Sequence, residues 1–139
     1  MSPLVKNILA VVVGLLVGGL VNFTLIMLSG SIIPFPNGVD PMDPESLQAN
    51  ADLLESKHFI IPFVAHALGT LVAAFIITKM AVYNNRRLAL FAGLFFLAGG
   101  IMSVLKISAP MWFNGLDLLV AYLPMAWLGW SLGKSSEVD

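Results

Sequence analysis

Asn22, His66 and Asp117 are the residues whose types and positions invite chemistry, because each is polar and each lies within an apolar run. An imidazole and a carboxylate brought together can relay a proton or hold a cation, and ionisable groups inside membrane spans mark functional sites by default. His66 sits in FIIPFVAHALGTLVAAFII, residues 59–77, with Thr70 four positions later and so one helical turn below it. Asn22 continues the series Gly14, Gly18 by a further four positions, and Asp117 shares a face with Ala121 and Pro124. Tyr122, projected on a continuous helix, falls on a different face from Asp117. Asn22, His66, Thr70 and Asp117 therefore form a candidate polar cup.

A purely structural account competes with the cup. His66 can bond the carbonyl of His58, which Pro62 leaves without its usual helical donor. Asn22 can serve as interhelical glue. Asp117 can be the favourable carboxylate at a helix start, with Asn114 as the cap.

Other chemistries find less support. The chain has no cysteine, which excludes disulfides, thiol catalysis and thiolate metal sites. His58 and His66 lie two turns apart on one helix, so a single chain cannot clamp a haem between them. Ser103 and Ser31 match His66 only in depth, and no nucleophile-elbow motif surrounds either. Phosphate-loop and dinucleotide motifs are absent. No cofactor and no metal are expected. A net charge of −1 gives no reason to expect nucleic acid as a partner.

The elements that must position these residues follow from hydropathy. The chain is 58% hydrophobic and only 11% charged, with a mean hydropathy of +0.91. A soluble domain carries about 25% charged residues. Four apolar segments stand out, at about 4–28, 59–82, 88–105 and 115–132. Each is long enough to cross a hydrocarbon core of ~30 Å as a helix, the form that satisfies its own backbone in lipid. The first run exceeds the ~7–15 apolar residues of a signal peptide, so an uncleaved span is expected. Residues 1–139 are expected to form one transmembrane domain.

Small residues supply close-packing faces: Gly14 and Gly18 on the first span, Gly69 on the second, Gly129 and Gly133 on the fourth. Lys6, Lys79, Arg86, Arg87 and Lys134 fall on one side and Lys57 and Lys106 on the other. This bias predicts cytoplasmic termini and an outer loop at 29–58. The depths of Asn22 and His66 are then alike, roughly 10 Å from the outer boundary, with Asp117 at about 3–5 Å. Within the loop, Asp43-Pro44-Glu45 is a helix start, with Asp as cap and Pro at the first helical position. A short helix is expected over 44–55, with Leu47, Ala51 and Leu54 as its apolar stripe.

Three stretches, SGSIIPFPNGVDPMDPESL, KHFIIPFVAHALGTLVAAFI and APMWFNGLDLLVAYLPMAWLG, resemble a family of small four-span hypothetical membrane proteins of bacteria. The resemblance covers nearly the whole chain. It implies a four-span architecture in a bacterial cytoplasmic membrane and carries over no catalytic residues.

The expectation is thus an all-α, integral-membrane four-helix bundle with a short extra helix in the outer loop. Its leading function is a non-enzymatic accessory subunit or self-associating scaffold, with the lipid bilayer, other membrane proteins or copies of itself as partners. The alternative is a small-solute or ion transporter or channel using the cup, and the third is an interfacial enzyme.

Overall fold

The computed structural model describes residues 1–135. Residues 136–139 of the expected 1–139 domain lie outside that range. The described residues form six α-helices: α1 (Pro3–Ile32), α2 (Pro44–Ala49), α3 (Ile60–Met80), α4 (Asn85–Lys106), α5 (Met111–Val120) and α6 (Leu123–Gly133). Two 3-10 turns, Ala51–Leu53 and Ser56–Phe59, lead from α2 into α3. Four helical stretches are long and apolar enough to span a membrane: Pro3–Ile32, Ser56–Met80, Asn85–Lys106 and Met111–Gly133. The protein is an all-helical, four-span bundle of the membrane-protein type.

Local rules set most boundaries. Ser2 caps α1 by accepting from Val5 N, with Pro3 in the first turn. The helix runs on through Gly30 to Ile32, about one turn beyond the expected end, and stops before Pro34, which disfavours a helical residue ahead of it. Asp43 caps α2 as its sequence predicts, accepting from Glu45 N at 3.0 Å. That helix is shorter than expected. It ends at Asn50, whose side-chain amide donates to the Ser46 carbonyl at 2.8 Å, and the remainder tightens into the 3-10 turns. Pro62 falls in the first turn of α3, where a missing N–H costs little.

The fourth span departs most from expectation. It begins at Met111 rather than near Gly115, following Pro110. It then breaks at Ala121–Tyr122, where Tyr122 adopts φ −116 and ψ −81, and restarts at Leu123. Pro124 is the physical cause: it donates no N–H and its ring crowds the carbonyl one turn earlier.

Helix α3 is the pivot. It packs against α1, α4 and α6, and α4 packs against α6. Lipid gives no burial gain for such contacts, so close backbone approach must supply the packing. A Cβ on Gly18 would strike the Gly69 carbonyl, and one on Gly69 would lie 2.8 Å from the Gly18 carbonyl. Gly14 faces Ala73 and Ile77. On the other flank of α3, Gly129 meets Leu71 and Ala74, and Gly133 meets Thr78. The core is correspondingly small-residue: Ala65, Ala73, Ala74, Ala89, Ala92 and Ala126 are fully buried. Large apolar side chains such as Leu16, Leu20, Leu94 and Leu119 point outward.

Candidate functional site

The interhelical loop folds back over one end of the bundle. His58 and Gln48 fasten it there. His58 Nδ1 accepts from Glu55 N at 2.8 Å, and its Nε2 lies 3.2 Å from the Pro34 carbonyl. Since Nδ1 accepts, Nε2 carries the proton and donates to that carbonyl. Gln48 Oε1 accepts from Ser108 N at 2.8 Å, joining α2 to the turn between α4 and α5. The His58 ring also lies 5.1 Å from that of Phe35.

Beneath this cap lies a cavity of about 300 Å³. Phe35, Met42, Leu47 and Leu54 of the loop line its roof, and Ile26, Phe59, Val104 and Phe113 its walls. Asn22, His66, Ser103 and Asp117 supply polar groups to the lining.

The polar residues are brought together by three helices. His66 Nδ1 on α3 lies 2.8 Å from Asp117 Oδ1 on α5. The Tyr122 hydroxyl, at the break before α6, donates to the other oxygen, Oδ2, at 2.8 Å. Asp117 is only 3% exposed and Tyr122 2%. The rings of His66 and Tyr122 stack with centroids 5.8 Å apart and planes 27° apart. An ionised carboxylate only accepts, so His66 Nδ1 donates to it, and in the neutral imidazole Nε2 is left as the acceptor. No described residue bonds Nε2. This is the arrangement in which a carboxylate orients an imidazole and fixes its tautomer.

Gly100 on α4 makes room for the network. A Cβ there would fall 2.5 Å from the Tyr122 hydroxyl oxygen.

Asn22 packs its Cβ over Gly69 and lines the same cavity. Its Oδ1 is buried and takes no hydrogen bond from the protein. Among the described residues it is the one buried side-chain polar atom left in that condition. Thr70 stands apart from the other three. It is fully buried, donates to the His66 carbonyl at 2.9 Å and does not line the cavity.

Several details differ from the sequence expectation. His66 bonds Asp117 rather than a proline-freed carbonyl. Asp117 is not at a helix start: α5 opens at Met111, which sets Asp117 about 9 Å along the helix. Pro110, not Asn114, holds the cap position. Tyr122 is a site residue that face-counting placed elsewhere. Five residues along a continuous helix turn a side chain by about 140°, and the break at Pro124 removes that turn from consideration. The warning signal was Pro124 itself. The His58 ring is the clasp of the roof, a role that its spacing from His66 does not announce.

The opposite end of the bundle also holds buried polar groups. Asn7 is 5% exposed. Its Nδ2 donates to the Tyr83 carbonyl at 2.9 Å, and its Oδ1 accepts from Val82 N at 2.8 Å. Asn85 donates to the Thr78 carbonyl at 2.9 Å, and Thr78 to the Ala74 carbonyl at 2.7 Å. Asn84, at φ 57, takes the left-handed conformation that Asn tolerates better than most residues. Arg86 and Lys134 lie over the Trp130 ring at 5.2 and 4.8 Å.

Among the described residues, no group of three or more His, Asp or Glu side chains is placed to hold a metal ion. No protein-family model, curated protein or solved structure matches the chain. The fold and the site geometry therefore carry the functional reading alone.

Proposed function

We propose that this protein is a small-solute transporter of the membrane whose binding site is the capped cavity. The observation that carries the reading is the Tyr122–Asp117–His66 chain: two 2.8 Å bonds converge on one buried carboxylate and leave the imidazole Nε2 uncommitted. Burying a charge is costly, and apolar residues of similar size usually hold a core at least as well. A buried network with one open end is thus better explained by use than by stability.

Two further features support it. The fourth span is discontinuous beside the site, and broken helices at membrane depth line substrate sites in transporters. The cavity walls are mainly apolar side chains with polar groups confined to a few positions, the usual make-up of a small-molecule site rather than an ion pathway. Hydrolysis would need a nucleophile bonded to Nε2, and no described side chain occupies that position.

A second reading, self-association into a scaffold, is favoured by Gly19 on α1 and Gly99 on α4, beside which nothing lies within 4 Å. Most of the other small-residue faces are consumed inside the protomer. In either reading the bacterial cytoplasmic membrane is the proposed setting. The basic residues near the termini, Lys6 and Lys134, and those flanking the turn between α3 and α4, Lys79, Arg86 and Arg87, support a cytoplasmic location for those segments.

Replacing the network with apolar side chains tests the choice. His66→Leu/Asp117→Leu/Tyr122→Phe, which removes all three members and strands none, should leave the melting temperature unchanged or raised, because a site costs stability that its removal restores. A fall of about 5 °C or more, corresponding to about 1–2 kcal/mol at this size, would make the network structural and return the scaffold to first place.

A further inference from the structure

Resting on the cavity as a binding site, the chemistry of its lining narrows the occupant. Asp117 places a carboxylate in it, and neither lysine nor arginine contributes to the lining. The same end of the molecule holds Asp40, Asp43, Glu45, Asp52 and Glu55 against Lys57 and Lys106. Both lysines are exposed, and Lys57 is spent in part on Glu55 at 3.5 Å. The cavity and its approach are therefore electronegative, which raises the local concentration of cations and repels anions.

The hydrogen-bonding groups agree with the charge. His66 Nε2 is an open acceptor in the tautomer that Asp117 fixes. Asn22 adds an amide whose oxygen has no protein donor. An amide can turn to offer oxygen or nitrogen at nearly the same position, so it adapts to a donor on the ligand. Ser103 contributes a hydroxyl, which accepts as readily as it donates. Above them Phe35, Leu47, Phe59 and Phe113 offer an apolar enclosure with aromatic faces, which attract cations.

We infer that the occupant is a small hydrophobic amine, bound as its ammonium ion. Its N–H groups donate to His66 Nε2 and to Asn22, the charge of Asp117 balances it through the imidazole, and its hydrocarbon body fills the space under the loop. A cavity of about 300 Å³ accommodates one aromatic ring with a short side chain.

The test uses the full chain in lipid nanodiscs and three probes of one shape: 2-phenylethylamine, 2-phenylethanol and 3-phenylpropanoate. Affinities are read by calorimetry at about pH 8, where an alkylamine is cationic, with empty nanodiscs as the partition blank. The amine should bind at least about tenfold more tightly than the alcohol, the amount a charge-assisted hydrogen bond supplies. The carboxylate should bind least. Asp117→Asn should abolish the preference for the amine while leaving alcohol binding in place. His66→Phe retains a ring against Tyr122 and should do the same, so the result does not depend on one variant folding. Equal affinity for amine and alcohol, or a preference for the carboxylate, overturns the amine inference and leaves the binding site standing. Failure of all three probes to bind above the blank overturns both.

Discussion

The two ends of this bundle bury similar amounts of polar chemistry and use it differently. At the end away from the loop, Asn7, Thr78 and Asn85 each bond backbone groups, and Asn7 satisfies both its oxygen and its nitrogen across the turn between α3 and α4. Asn85 takes up the Thr78 carbonyl that the end of α3 leaves free, and Asn7 fastens the turn that leads into α4. At the loop end, Asp117 is bonded by side chains from two other sites, and one member of the chain remains open toward a cavity. Polar groups that close on backbone build a fold, whereas polar groups that close on one another and stop short of completion prepare a site.

Four substitutions test that contrast. The largest effect belongs to the region that both ends share. Gly18→Leu drives a side chain into the Gly69 carbonyl; it should cost more than about 3 kcal/mol and release α1 from α3, read as loss of the folded band in detergent or as collapse of the unfolding transition. Retention of wild-type stability would mean that α1 is not held by this contact.

Next is Asn7→Ala, which strands Val82 N and the Tyr83 carbonyl. It should cost about 2 kcal/mol, since each unpaired buried group costs ~1–3 kcal/mol. Ligand affinity at the loop end should not change. An equal loss of affinity would join the two ends functionally and break the comparison.

Gly100→Ala should cost about 1–2 kcal/mol as the added methyl pushes the Tyr122 ring away from Asp117. Its specific mark is weakened binding with the bundle intact, measurable by titration alongside circular dichroism. The smallest effect is expected from His58→Phe, which keeps an aromatic beside Phe35 but removes both hydrogen bonds of the clasp. Global stability should fall by about 1 kcal/mol or less. Amide exchange should quicken over residues 35–58 and nowhere at the opposite end.

Much of the architecture was legible because lipid imposes simple demands. Run lengths located the four spans. Glycines four residues apart marked close-packing faces on α1 and α6, but only the structure names α3 as what they meet. Asp43-Pro44-Glu45 announced its own helix start. The pairing of His66 with Asp117 was not legible as shared depth: counting from Gly115 set Asp117 well above His66, and only the earlier start of α5 at Met111 brings the two level. Tyr122 was not, because projecting faces at about 100° per residue presumes an unbroken helix, and Pro124 voids that presumption within one turn. Asn7 escaped notice for a different reason. Its partners are backbone atoms of a turn far along the chain, and no residue type there advertises an unsatisfied carbonyl. Thr70 looked like part of the cup by spacing, yet a threonine can turn back on its own helix, and here it does.

The two histidines end up as mirror images of each other in protonation. His58 keeps its hydrogen on the ε nitrogen and His66 on the δ nitrogen, one in the lid and one in the base of the same chamber. Histidine labelled with nitrogen-15 at the δ position alone would therefore yield two signals separable by frequency, one from a bare nitrogen and one from a protonated nitrogen. One would report when the lid lifts, and the other would report when a guest arrives.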